Sequence, residues 1–253
     1  NTANGAITDV EGKAVTVTTA STATQFSDIL TAATANSASG TVAGAVADAG
    51  SNLTNIAFPN ATSITATISN ANDLTAVTLD SDVTHIDLNN VANVLLDIND
   101  LTNRTITANG GTYKVKDTAT NLAAAAASLL SDQTIVVNDA NTAATTTEIN
   151  SIQTKMVSNG GSGTVTYTKL TDSASNLDTN RADIIAGVAV TIDDTNNTAA
   201  TVAELNRLQT AVSDAGNGAT LTYAKLRDTS ANIRANTANG AITDVEGKAV
   251  TVT

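Results

Sequence analysis

The 253-residue sequence contains no cysteine and no tryptophan, one proline, one methionine and one histidine, and its aromatic residues amount to 2%. Without cysteine there is no disulfide framework, thiolate metal site or cysteine nucleophile, so stability must come from packing and backbone hydrogen bonds. The shortage of aromatics leaves any core to Ala, Val, Leu and Ile, which suits a thin, repetitive interior better than a broad one. Basic residues are scarce too: 12 Lys and Arg stand against 24 Asp and Glu, a formal net charge of -12. Such a surface repels phosphate backbones and offers no ring platforms for bases, so nucleic acid is not an expected partner. No apolar run reaches the roughly 18 residues of a membrane span. Even Ala123 to Leu130 is bounded by Asn121 and Asp132. An apolar share of 42% argues against a disordered acidic tail.

What the sequence does have is repetition. Residues 1–18, NTANGAITDVEGKAVTVT, return without a change as residues 236–253, an offset of 235. Two readings follow. Either the chain is one period of a tandem array plus an overlap, or identical end segments couple separate subunits. A shorter period lies inside the long one. Gly163 to Leu177, GTVTYTKLTDSASNL, returns 56 residues later as Ala219 to Ile233, ATLTYAKLRDTSANI, and in abridged form ending at Leu122 and at Leu53. The shared fingerprint is Asp, three residues, Asn, then Leu or Ile: Asp48/Asn52/Leu53, Asp117/Asn121/Leu122, Asp172/Asn176/Leu177 and Asp228/Asn232/Ile233. A second motif alternates with it, at Thr19 to Ile29, Thr142 to Ile152 and Thr198 to Leu208.

The periods of hydrophobicity assign local structure. Val188, Val190 and Ile192 alternate with small or polar residues, as do Val165 and Tyr167, Leu221 and Tyr223, and Val15 and Val17, the period of a strand with one buried face. Val202, Leu205, Leu208 and Val212 instead form a helical stripe, matched by Ile149, Ile152 and Met156 and by Phe26 and Ile29. Thr-rich openings supply N-caps, and Gly160 or Gly216 follows where such a helix should stop. Asp172 and Asp228 are expected to cap short helices, such as one over Ser173 to Ile185. The unit from Gly44 to Thr112 diverges and shows short β-prone runs instead, at Ile64 to Ile68, Val77 to Leu79, His85 to Leu88, Leu95 to Ile98 and Thr105 to Thr107.

The expected fold is therefore an α/β repeat solenoid, with parallel strands stacked coil on coil, short helices on one side, and an all-β stretch around residues 54–115. Residues 1–253 read as one continuous segment with sub-units 19–43 (completed by 223–253), 44–112, 113–166 and 167–222. About nine coils per period at the ~4.8 Å strand spacing give a rise of roughly 43 Å.

Candidate chemistry is sparse. His85 and Asp87 are two residues apart on a strand and lack an accompanying nucleophile motif, so a surface or ladder role is expected. Asp139, Asp193 and Asp194 are the candidates for calcium, although no calcium-loop pattern surrounds them and each has a competing role as a turn residue or cap. The glycine pairs Gly110-Gly111 and Gly160-Gly161 precede strands and lack a phosphate-loop lysine, so they read as turns. Tyr113, Tyr167 and Tyr223 recur inside a repeated strand and are assigned to the core before sugar stacking. No catalytic residue and no cofactor is expected.

At the level of YTKLTDSASNL, YKVKDTATNL and the alternating TAAT-containing motif, the chain resembles the tandem-repeat regions of giant bacterial cell-surface, adhesin-like and extracellular-matrix proteins. The resemblance implies an extracellular or cell-surface location, an extended fibre, no enzymatic role, and a partner that is the protein itself, through successive repeats and lateral contacts. An adhesin module with calcium or glycan contacts is the alternative.

Overall fold

A computed structural model describes residues 10–158, 161–195, 199–238 and 245–253. The chain is mixed α/β, with short helices and several parallel sheets, and it divides into two compact units, Asn1–Val115 and Lys116–Thr253.

In the first unit the elements are β1 (Ala14–Thr16), α1 (Ala23–Ala33), β2 (Thr41–Ala49), β3 (Ala61–Thr67), β4 (His85–Asp87), β5 (Val94–Leu96), α2 (Ile98–Asn103) and β6 (Thr105–Thr107). The first three residues of β7 (Tyr113–Asp117) complete it. The sheet order β1-β2-β3-β4-β6 is parallel throughout, and its last two steps in register are equal: Thr65 faces His85, which faces Thr105. β5 pairs in parallel with β7, Val94 opposite Tyr113. Parallel neighbours that advance in chain order keep a one-residue-wide ladder of like side chains in register. Ala66 faces Ile86, and Ile86 faces Ile106. The core is filled by Val42, Val46, Leu53, Ile64, Ile68, Ile86, Leu88 and Leu96, with Phe26 and Phe58 tilted against each other at 5.0 Å. Asparagine supplies the corners. Asn89, Asn90, Asn93 and Asn109 all have positive φ, a conformation that their short polar side chains tolerate better than most. That use accounts for part of the asparagine richness.

At Gly44 the long strand β2 changes partners, from β1 before it to β3 after it, across an irregularity in register. A Cβ there would lie 2.8 Å from the Val17 Cβ and 2.9 Å from its carbonyl oxygen, so the close approach of β1 requires glycine.

The second unit contains α3 (Ala119–Ala124), α4 (Ala127–Leu130), β8 (Thr134–Val137), α5 (Thr146–Val157), β9 (Thr164–Thr166), β10 (Lys169–Asp172), α6 (Ala174–Thr179), β11 (Ala189–Ile192), α7 (Val202–Ala215), β12 (Thr220–Thr222), β13 (Lys225–Asp228), α8 (Ser230–Ala238) and β14 (Ala249–Val252). β8 pairs with β9, β10 with β11, β11 with β12, and β13 with β14, all in parallel. Of the expected strand faces, Val188, Val190 and Ile192 are buried at 0 to 3% exposure and Tyr167 and Tyr223 are buried, whereas Val165 and Leu221 are half-buried; Leu170 and Leu226, on β10 and β13, are fully buried. The three long helices begin as their sequences require. Thr22 with Gln25, Thr145 with Glu148 and Thr201 with Glu204 each form a reciprocal capping box. Of their stripes, Phe26, Ile149/Ile152/Met156 and Val202/Leu205/Leu208 are buried while Ile29 and Val212 are half-buried, and α7 ends at Gly216 with φ 63°. Gly160 lies outside the described residues.

Four local expectations need correction. The helix after β10 runs only over Ala174–Thr179, followed by a 3-10 turn at Arg181–Asp183, instead of continuing to Ile185. Its N-cap is Ser173, whose hydroxyl accepts from Asn176 N–H at 3.2 Å, so Asp172 sits one residue before the cap. The stretch around 54–115 is not all-β. Asp97 and Asp100 form a capping box that starts α2 at Ile98, and this local alternative outcompetes extension of β5 through Ile98. Val77 to Leu79 is irregular chain following a turn over residues 71–76, although Leu79 is buried.

Candidate functional site

The feature that recurs is a clasp built on the fingerprint aspartates. Asp48 lies near the end of β2, and Asp172 and Asp228 are the last residues of β10 and β13. In each, one carboxylate oxygen turns inward along its own chain. Asp172 Oδ1 accepts from Ser173 N–H at 2.8 Å and from the Asn176 amide at 2.7 Å. Asp228 Oδ1 does the same with Thr229 and Asn232, both at 2.7 Å, and Asp48 Oδ1 with Ala49 and Asn52 at 2.8 and 3.0 Å. Asp117 repeats this half of the pattern with Thr118 at 2.7 Å and Asn121 at 2.8 Å.

The other oxygen reaches back to the preceding long helix. Asp48 Oδ2 accepts from Ala23 N–H at 3.0 Å, Asp172 Oδ2 from Thr146 N–H at 3.1 Å, and Asp228 Oδ2 from Val202 N–H at 3.0 Å. Ala23, Thr146 and Val202 are the first residues of α1, α5 and α7. A helix N-terminus has donors without internal partners and a positive dipole end, so an aspartate arriving from later in the chain is well matched there. The spacing of the fingerprint thus has one physical purpose per position: Asp joins two layers of chain, Asn four residues on fixes the rotamer of Asp, and the next residue anchors the core. Leu53, Leu122 and Leu177 are fully buried, and Ile233 is half-buried.

The chemistry of these carboxyls follows. Burial raises the pKa of Asp172, but hydrogen bonds from Thr146, Asn176 and Ser173 outweigh that and hold it below the ordinary carboxylate value. For Asp48 and Asp228 the same balance, burial against the Asn amide and backbone donors, also comes out low. Asp183 runs the other way. It is buried and its pKa is raised by desolvation, only partly offset by the Gln153 amide at 3.3 Å.

The three calcium candidates separate. Asp139 and Asp194 are buried equivalents, each clamping the bend that follows a tyrosine. Asp139 Oδ2 accepts from Thr168 and Lys169 N–H, at 2.5 and 2.7 Å, and Asp194 Oδ2 from Ala224 and Lys225 N–H, at 2.8 and 2.9 Å. Asp193 points elsewhere and accepts from Thr195. Among the described residues no three His, Asp or Glu side chains come together as a metal site. The sequence singled out these aspartates without indicating this role. The signal was present in the equivalence of Asn138-Asp139 with Asp193-Asp194, one strand before each bend.

The two clamps differ in one respect. Asp139 Oδ1 accepts from the Thr168 hydroxyl at 2.8 Å, whereas the matching position is Ala224 and the buried Asp194 Oδ1 has no partner. Ala224→Thr is therefore expected to stabilise the second unit by about 1 kcal/mol, read as a raised thermal midpoint. A lowered midpoint would show that the bend has no room for the methyl group.

His85 Nδ1 lies 2.8 Å from the Thr84 hydroxyl, while Asp87 accepts from Asn89 N–H and the Asn109 amide at 2.9 and 2.8 Å, so no hydrogen bond joins His85 to Asp87. Tyr167 and Tyr223 are buried, Tyr167 donating to the Asp183 carbonyl, and Tyr113 is half-buried. Gly110 occupies a turn at φ 84°. No described helix is long and apolar enough to cross a membrane. Comparison with known proteins brings no match to any protein family, curated protein or solved structure.

Proposed function

We propose that the chain is the structural repeat of a secreted bacterial surface or extracellular filament protein, a solenoid whose coils stack in parallel into a rod. The observation that carries this reading is the aspartate clasp, repeated at Asp48, Asp172 and Asp228 with the same three kinds of partner each time. It joins each long helix to the strand that follows about 25 residues later, as the Asp172 to Thr146 separation of 26 illustrates. A contact made only between nearest neighbours along the chain, and duplicated rather than unique, is what a quasi-one-dimensional repeat requires. Edge strands expose unpaired backbone groups, and stacking the next coil on them removes that liability everywhere except at the ends of an array. The polyanionic surface keeps such a rod soluble.

The test is electron microscopy of a chain carrying two consecutive 235-residue periods. Straight rods that lengthen by roughly 40 Å per added period are expected, from nine coils at the strand spacing. Beads on a flexible string, or compact particles without an axial repeat, would exclude a stacked solenoid.

A further inference from the structure

Residues 13–18 and 248–253 are the same sequence, KAVTVT, yet the two copies use opposite edges of the strand they form. In the first copy the groups facing a partner are those of Lys13, whose carbonyl accepts from Thr41 N–H at 3.0 Å, and Val17, whose N–H donates to the Ala43 carbonyl at 2.8 Å. In the second copy they are those of Ala249 and Thr253, whose N–H groups donate to the carbonyls of Ala224 and Asp228, each at 3.0 Å. With the 235-residue offset, Ala249 and Thr253 correspond to Ala14 and Thr18. Backbone groups along a strand alternate sides, so the first copy spends residues 13, 15 and 17 on β2, and the second spends the equivalents of 14, 16 and 18 on β13. The two sets do not overlap. One strand of this sequence satisfies both neighbours at once.

We infer that a second copy of this chain is the partner of the β13 edge: residues 13–18 of one molecule replace residues 248–253 of another, pairing with β13 on one side while keeping their own β2 on the other. The proposal rests on the stacked-repeat reading and names its partner. The incoming strand brings the same side chains in the same register, so β13 has no means of telling it from β14. Exchange conserves the number of strand pairings and releases one segment, which recovers chain entropy against the cost of association. The resident strand is the weaker holder of the site. Each residue of β14 is exposed, Val250 at 40% and Val252 at 60%, whereas their counterparts Val15 and Val17 are half-buried against the first unit's core. Contact of one end with a different surface on the next molecule is heterologous, and with the axial rise of one strand per junction that the stacked-repeat reading gives, the product is an open head-to-tail filament instead of a ring. Main-chain pairing supplies affinity, as in other cases of strand addition.

The duplicated sequence allows a test in which one substitution has opposite effects in its two locations. Proline removes an N–H and is tolerated on an edge strand when that N–H faces away from the partner. Thr16→Pro deletes a donor that β2 does not use but that a neighbour's β13 would need, at the site of Leu226. Thr251→Pro deletes the same donor from the resident strand and vacates the edge. Sedimentation velocity over a concentration series, with energy transfer between two differently labelled populations of the 253-residue chain, reads the exchange. Relative to the parent chain, T251P is expected to lower the concentration at which assembly begins by roughly tenfold and T16P to raise it by a similar factor, the scale of one backbone hydrogen bond plus its steric consequence. In the double variant the incoming and resident strands lack the same donor, so assembly should begin near the parent's concentration, and circular dichroism should be unchanged in all three. Equal effects of the two prolines, or no assembly by T251P, would overturn the proposal. Rods from covalent double periods together with no exchange between separate chains would leave the stacking reading intact and remove only this one.

Discussion

Replacement of Arg104 by methionine is expected to destabilise the first unit by about 3–5 kcal/mol, the cost of leaving a buried charge without its partner. The guanidinium side chain is 3% exposed and its Nη1 lies 3.0 Å from Asp100 Oδ1, on a carboxylate that is itself 11% exposed. Nη2 donates to the carbonyls of Leu79 and Asp80 at 3.1 and 3.2 Å. Methionine fills much of the same volume but takes the guanidinium away from Asp100 Oδ1 and from the Leu79 carbonyl, leaving Asp100 with the Asp97 N–H and the Asp80 carbonyl with the Val83 N–H. The damage should spread along a defined route, because Asp80 N–H donates to the Leu53 carbonyl at 3.0 Å and so ties this staple to the fingerprint residues at the end of β2. Amide hydrogen exchange will locate the loss: protection should fall at Asp80, Val83 and the α2 amides, and less in the second unit. Adding Asp100→Asn in the same chain removes the stranded charge while keeping an oxygen for the Asp97 N–H, and should recover a substantial part of the loss. A single Arg104→Met with unchanged protection would mean that water reaches the pair. Given typical net stabilities of about 5–15 kcal/mol, a change of this size leaves the first unit near its unfolding threshold.

Asp172→Ala is the second large effect, with an expected loss of about 3 kcal/mol in the unfolding free energy of the second unit, read from its denaturation midpoint. Four donors lose a charged acceptor: Ser173 N–H, the Asn176 amide, Thr146 N–H and the Thr146 hydroxyl, the last at 2.6 Å. Hydrogen bonds to a charged group contribute about 1.5–3 kcal/mol each when buried, and the partial exposure of this carboxylate reduces the sum. Asp228→Ala should cost less, because Val202 supplies a backbone N–H and no hydroxyl. The pH dependence carries the same signature. The folded pKa values of Asp48, Asp172 and Asp228 lie below the ordinary value, so native clasps bind fewer protons than the unfolded chain. Their contribution is fully present above roughly pH 4 and is lost as pH falls through the folded values. Acid unfolding should therefore be steep in the parent and shallower in D172A, measured as midpoint against pH. Asp183, with its raised pKa, contributes with opposite sign, its share declining as pH rises above the ordinary carboxylate value. An Asp172→Ala variant with unaltered acid sensitivity would show the clasp to be incidental.

Much of the local structure was legible because each rule acts within a few residues. The Thr-rich openings announced N-caps, which Thr22, Thr145 and Thr201 hold, and the alternation at Val188, Val190 and Ile192 announced a one-sided strand. Where two local rules competed, periodicity alone misjudged. Leu95 to Ile98 reads as β-prone, yet Asp97 and Asp100 cap a helix inside it, and Ser173 takes the cap that Asp172 was expected to hold. The Asp-Asn-Leu fingerprint was plain as a pattern and opaque as a device. The short arm to Asn176 lies within the motif, whereas the long arm to Thr146 crosses 26 residues and exists only once both layers are folded.

By itself the sequence determined the duplication of residues 1–18 at 236–253, the alternating motifs, the absence of thiol chemistry, and the strand and helix types, since these depend on composition, spacing and local backbone preference. Only the tertiary structure decided which edges the identical strands use, where each carboxylate sends its second oxygen, and that Asp139 and Asp194 serve backbone amides. Those are contacts between segments some 20 to 30 residues apart, and a hydrogen bond across that distance is set by register and packing that no short stretch of chain contains.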